Sequence, residues 1–118
     1  MSTMKLSAYG IIAALALIAL PLSGVAAAQG AVEKGAAVFA AQKCSMCHGM
    51  DGKGNQKGAL DDIGSKLKGA EIRSWILTPV EMAAKAKAER KPAMKPSANL
   101  AKADLDALVE FLESKKKK

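Results

Sequence analysis

The chain has one histidine, two cysteines and four aromatic residues among its 118. Each shortage excludes something. A single histidine leaves no second imidazole for acid–base work, and it rules out a histidine-rich metal centre. Two cysteines three positions apart, Cys44 and Cys47, cannot form the multi-bridge framework on which small exported domains often rely. The aromatics are Tyr9, Phe39, Trp75 and Phe111, and much of the remaining apolar fraction is alanine, which buries little area per residue. A domain this small and this poor in large side chains needs something further to fill its interior. Acidic residues are also few, 11 against 18 lysines and arginines, for a net charge of +7. That balance alone would suit nucleic acid, but no recognition motif accompanies it.

The first residues read as a leader. Lys5 gives a short positive start, Ile11 to Leu22 is an apolar run broken only by Pro21, and Ala26-Ala27-Ala28 offers small residues for signal peptidase. Cleavage is expected between Ala28 and Gln29, which makes residues 1–28 a signal peptide and residues 29–118 one domain in the periplasm. The alternative is an uncleaved anchor. A span needs about 20 apolar residues, and this run is shorter, closed by Pro21, Ser23 and Gly24.

Helical periodicity dominates the rest. Val32, Ala36, Phe39 and Ala40 share one face of a helix expected from Val32 to Lys43, with Gly35 inside it. Glycine costs about 1 kcal/mol against alanine there, which points to close approach by another backbone. Gly49 to Gly58 has the composition of a loop. A second helix is expected from Ala70 to Leu77, and Thr78-Pro79-Val80-Glu81 looks like a capping box opening a short Ala/Lys-rich helix. That helix is expected to stop near Lys91, because Pro92 and Pro96 bracket an extended segment. Leu105, Leu108, Val109 and Leu112 form the stripe of a last helix. No run alternates as a strand would, so the expected fold class is all-α. Lys115 to Lys118 reads as a solvated, frayed tail, with a loose contact to an anionic membrane surface as the alternative.

The chemistry lies in Cys44-Ser45-Met46-Cys47-His48. C-x-x-C-H is the attachment signature of c-type haem. Cysteines three apart on a helical turn project side by side, so each sulfur can form a thioether at one haem edge while His48 reaches the iron. Zinc needs about four ligands, and these three residues exhaust the chain's cysteine and histidine. A thioredoxin-like pair would sit beside a βαβ pattern, and a plain disulfide explains neither the histidine nor the thin core.

A second axial ligand must reach the opposite face. Met46 and Met50 are tied to the His48 side by their position in sequence, which leaves Met82 and Met94. Met94 is preferred, since Lys91-Pro92-Ala93-Met94-Lys95-Pro96 is an extended loop that can lay a side chain across the iron. Met82, inside the Ala-rich helix, and no methionine ligand at all are the alternatives. A thioether opposite an imidazole closes both axial positions, which suits electron transfer.

In this order the features resemble the class I cytochrome c family over nearly the whole mature chain. The resemblance implies an all-α helical domain wrapped around one covalently bound haem c with its iron. It implies that the first and last helices cross, bringing Gly35 and Phe39 against Leu108 and Phe111, and that Met94 is the distal ligand. It also implies that Trp75 either donates its indole N–H to a haem propionate or packs on the ring; Arg73 is a weaker propionate candidate. Two departures stand out. Gly58-Ala59-Leu60 replaces the family's Gly-Pro-Leu, whose carbonyl orients the histidine, and Lys95 separates Met94 from Pro96. The expected function is a periplasmic one-electron carrier rather than an enzyme. Lys43, Lys53, Lys57 and Lys95 are candidates for a positive rim that steers acidic redox partners. A haem subunit of a larger periplasmic complex is the alternative, and a peroxidase or gas sensor, which needs an open iron position, stands further off.

Overall fold

The computed structural model describes residues 23–118. Most of the expected signal peptide, residues 1–28, therefore lies outside the described residues. Five helices form the domain: α1 (Ser23–Ala41), α2 (Ile63–Lys66), α3 (Gly69–Leu77), α4 (Pro79–Ala86) and α5 (Lys102–Glu113). α1 starts ahead of the expected Val32 because the Ala-rich residues before it have high helix propensity and contain no proline. Only from Val32 onward does it pack. Gly24 and residues 26–30 are exposed, and the expected cleavage point falls among them.

The core is the crossing of α1 and α5. Leu105, Leu108, Val109, Phe111 and Leu112 of α5 are buried against Val38 and Phe39 of α1, with Ile72 and Ile76 of α3 closing the side. Gly35 makes the crossing close: a Cβ there would run into the Ala107 carbonyl and the Cβ of Phe111. Outside the core, Arg73 of α3 pairs with Asp106 of α5 at 2.6 Å, and Lys102 reaches the other Asp106 oxygen at 2.7 Å. Arg73 is thus a strut between two helices.

Several local expectations need correction. Thr78 precedes α4 with Pro79 at the first helical position, but no capping box forms there. The Thr78 hydroxyl instead donates back to the Ser74 carbonyl of α3 at 3.0 Å. A reaching-back contact of the capping-box kind occurs at α3, where Glu71 accepts from the Lys68 backbone N–H at 3.0 Å. Lysine has no acceptor, so the reciprocal half is missing. α4 also ends at Ala86 rather than near Lys91. Lys87 turns left-handed with φ 52°, and the N–H groups of Lys87 and Ala88 bond the carbonyls of Ala84 and Ala83, a Schellman closure without glycine.

The Gly49–Gly58 region contains a small antiparallel hairpin, β1 (Gly49–Met50) with β2 (Lys53–Gly54). Asp51 and Gly52 both have positive φ, as a two-residue type I′ turn requires. The lysine tail is anchored rather than frayed as far as Lys117. The Lys115 carbonyl accepts from Gly64 N–H at 2.7 Å, Lys116 Nζ donates to the Gly64 carbonyl at 2.6 Å, and Lys117 N–H donates to Ser65 Oγ at 2.7 Å. Lys115 also pairs with Asp51 at 2.9 Å and sits 4.9 Å from the centre of the Phe111 ring. Among the described residues no helix is long and apolar enough to cross a membrane.

Candidate functional site

The site begins where α1 ends. Lys43 turns left-handed with φ 56° and carries the chain out of α1 into a 3₁₀ turn, Cys44–Met46. The Cys44 carbonyl accepts from the N–H groups of both Cys47, at 3.1 Å, and His48, at 2.9 Å. These bonds wind Cys44, Cys47 and His48 onto a single turn, as their spacing requires. Cys44 is half-buried and Cys47 exposed.

The hairpin holds this turn from below. Asn55 N–H donates to the Ser45 carbonyl at 3.1 Å, and Gly54, with φ 77°, passes so close that a Cβ would meet the His48 and Ser45 carbonyls. Only glycine suits that combination of positive φ and close approach. A second 3₁₀ turn, Gln56–Gly58, then brings a carbonyl to the histidine: His48 Nδ1 donates to the Gly58 oxygen at 2.9 Å. Because a carbonyl can only accept, Nδ1 carries the proton and Nε2 keeps its lone pair.

His48 shares an apolar cleft with Phe39, Cys44, Leu60, Ile76, Met94, Ser97, Leu108 and Leu112. The cleft has a volume of about 40 Å³ and is partly open to solvent. Residues from α1, α3, α5 and the segment after α4 therefore line one cleft with this imidazole. The Ser97 N–H donates to the Ile76 carbonyl at 2.9 Å, which ties the Met94 segment to the end of α3. Burial is the main influence on both polar groups. It pushes the Cys44 thiol up from its ordinary value, with the neighbouring Cys47 adding to the rise. It pushes His48 down, helped by the charge of Arg90 and opposed by the Gly58 carbonyl. A histidine held neutral near pH 7 has a nitrogen free to bind a metal.

Neither Met82 nor Trp75 is among the residues that line this cleft. Met82 is half-buried on α4, and Trp75 is half-buried on α3 beside the cleft-lining Ile76. Met46 is 70% exposed, whereas Met50 is buried in the core. Lys43, Lys53, Lys57 and Lys95 are all exposed. A separate polar hollow of about 530 Å³ lies between Asp51, Asp61 and Asp62 and the last three lysines, and it shares no residue with the cleft.

The donor set is two cysteine sulfurs on one turn, an imidazole with one nitrogen already fixed, and the thioether of Met94, 36% exposed at the edge of an apolar cleft. It fits an iron porphyrin held by thioether bonds. The sequence model of the cytochrome c family matches residues 32–116. The chain belongs to the cytochrome c family. This cytochrome therefore carries covalently attached haem c with its iron, in an all-α fold, and is a haem-binding electron-transfer protein. No curated protein and no solved structure matches the chain.

One part of this cytochrome's site was read from its sequence only as far as the run Gly58-Ala59-Leu60, and another was not read at all. The carbonyl that orients His48 belongs to Gly58, one residue before the alanine that stands where the family has proline. Arg90, four residues before Met94, donates to the Cys47 carbonyl at 2.6 Å. The available signal for Arg90 was indirect: Gly58 lacks a side chain, and the guanidinium uses that space.

Proposed function

We propose that the chain is a class I, single-haem c-type cytochrome that is exported to the periplasm and carries one electron at a time between protein partners. The observation that carries this reading is the bond from His48 Nδ1 to the Gly58 carbonyl, 2.9 Å long, in a cleft that also holds Met94. With Nδ1 engaged in this way, His48 Nε2 would be the atom that ligates the iron, and the Met94 thioether would be the second ligand. When bound, the haem supplies one-electron chemistry at iron. Cys44 and Cys47 hold its edge. The Gly58 carbonyl holds the imidazole ring in orientation and raises its basicity. Phe39, Leu60, Ile76, Leu108 and Leu112 would wall the group with apolar surface, and Met94 as second ligand would keep water or peroxide from the iron.

Trp75 flanks the site and is proposed to pack on the ring or bond a propionate. The exposed lysines 43, 53, 57 and 95 make a positive rim for acidic redox partners. Contact with an anionic membrane surface through the lysine tail is a weaker proposal, since Lys115 to Lys117 are engaged within the domain.

The test uses the mature protein. Colour should survive acid–acetone extraction and denaturing electrophoresis, and the reduced protein should bind carbon monoxide poorly at neutral pH. Ready binding of carbon monoxide would show an open iron and favour a sensor or peroxidase over a carrier.

A further inference from the structure

Arg90 projects from the segment between α4 and Met94 onto the opposite, proximal side of the site. Its Nη2 donates to the Cys47 carbonyl at 2.6 Å. Its Nη1 lies where a side chain on Gly58 would have to be, so a Cβ at Gly58 would strike both this nitrogen and the Cys47 carbonyl. Gly58 is the residue whose carbonyl holds His48. One guanidinium therefore braces the peptide that leads into the histidine and covers the residue that orients it. Arg90 itself is exposed, and its guanidinium is a planar, delocalised cation.

We propose that Arg90 is a positioning residue that locks Cys47 and His48 against Gly58 and keeps a fixed positive charge beside the proximal imidazole, holding the reduction potential up. A nearby cation disfavours the extra positive charge of ferric iron relative to ferrous, so the potential rises. Because Arg90 is exposed, dissolved salt screens its charge, with a Debye length of about 10 Å at 0.1 M and about 3 Å at 1 M. The effect must therefore shrink with ionic strength.

This inference rests on the His48–Met94 reading, so the ferric parent protein is first checked for the methionine-to-iron charge-transfer band. Absence of that band overturns the ligand reading and is independent of Arg90. Given the band, Arg90→Gln and Arg90→Lys are compared with the parent by protein-film or solution voltammetry at low and high salt. Arg90→Gln should lower the midpoint potential at low salt, with the gap narrowing at high salt, and Arg90→Lys should restore most of it. Exchange of the His48 Nδ1 proton with solvent, followed by NMR, should quicken in Arg90→Ala, where the brace is gone. An unchanged potential in Arg90→Gln overturns the proposal. So does an equal drop in the glutamine and lysine variants at both salt concentrations, which would mark lost packing without any role for charge.

Discussion

Phe39 and Phe111 meet edge to face, with ring centroids 5.8 Å apart and planes inclined at 61°. The two rings approach this closely because Gly35, one turn earlier on α1, lets α5 lie against its backbone. Edge-to-face pairs are worth about 0.5–1.5 kcal/mol beyond their buried area, so the glycine gives α1 and α5 both contact and geometry.

Gly35→Ala sets two effects against each other. Alanine gains about 1 kcal/mol of helix propensity, whereas its methyl collides with the Ala107 carbonyl and Phe111 Cβ, atoms that cannot move without shifting α5. Overpacking costs roughly 1–3 kcal/mol and more where backbone must shift, so it wins. The urea midpoint should fall with an unchanged slope. A midpoint equal to or above the parent's would mean that the crossing is looser than described.

Met94 lies in the His48 cleft and Met82 does not. Met94→Ala should lower the reduction potential, abolish the methionine charge-transfer band and open the iron to carbon monoxide. Met82→Ala should leave all three unchanged and lose only modest stability, as expected of a half-buried packing residue. The reverse pattern would reassign the distal ligand to Met82.

Asp106 carries a stability-linked charge. Hydrogen bonds from Lys102 and then Arg73 hold its carboxyl below its ordinary value near 3.8. A folded-state pKa below the unfolded one means that the unfolded chain takes up the proton first as pH falls. The contribution of Asp106 is thus fully present above the unfolded value and is lost as pH drops through the folded one. Asp106→Asn should flatten the acid side of the stability profile below about pH 4 and change little at pH 7 in 1 M salt, where surface pairs are screened. An acid limb as steep as the parent's would show that the Arg73–Asp106 strut contributes nothing.

Export is tested at the terminus. N-terminal sequencing of periplasmic material should begin at or within a few residues of Gln29. Recovery of the full-length chain from the membrane fraction would replace the soluble shuttle with an anchored one.

What the sequence determined by itself was short-range. Cys44, Cys47 and His48 are brought together by the pitch of one turn, whatever surrounds them. Likewise Leu105, Leu108, Val109 and Leu112 share a face because a helix repeats every 3.6 residues. Gly35 was legible for a related reason, since a glycine in a helix costs enough to need a partner helix. Tertiary structure decided the features that depend on which distant groups meet. The carbonyl that takes the His48 proton depends on how the 3₁₀ turn at Gln56–Gly58 folds back to present Gly58. Arg73 faces Asp106 across 33 positions of sequence, Arg90 reaches Cys47 across 43, and Lys117 meets Ser65 across 52. Composition describes such side chains only as solvated charges, because a long flexible cation has no preferred partner until the fold places an acceptor within its reach.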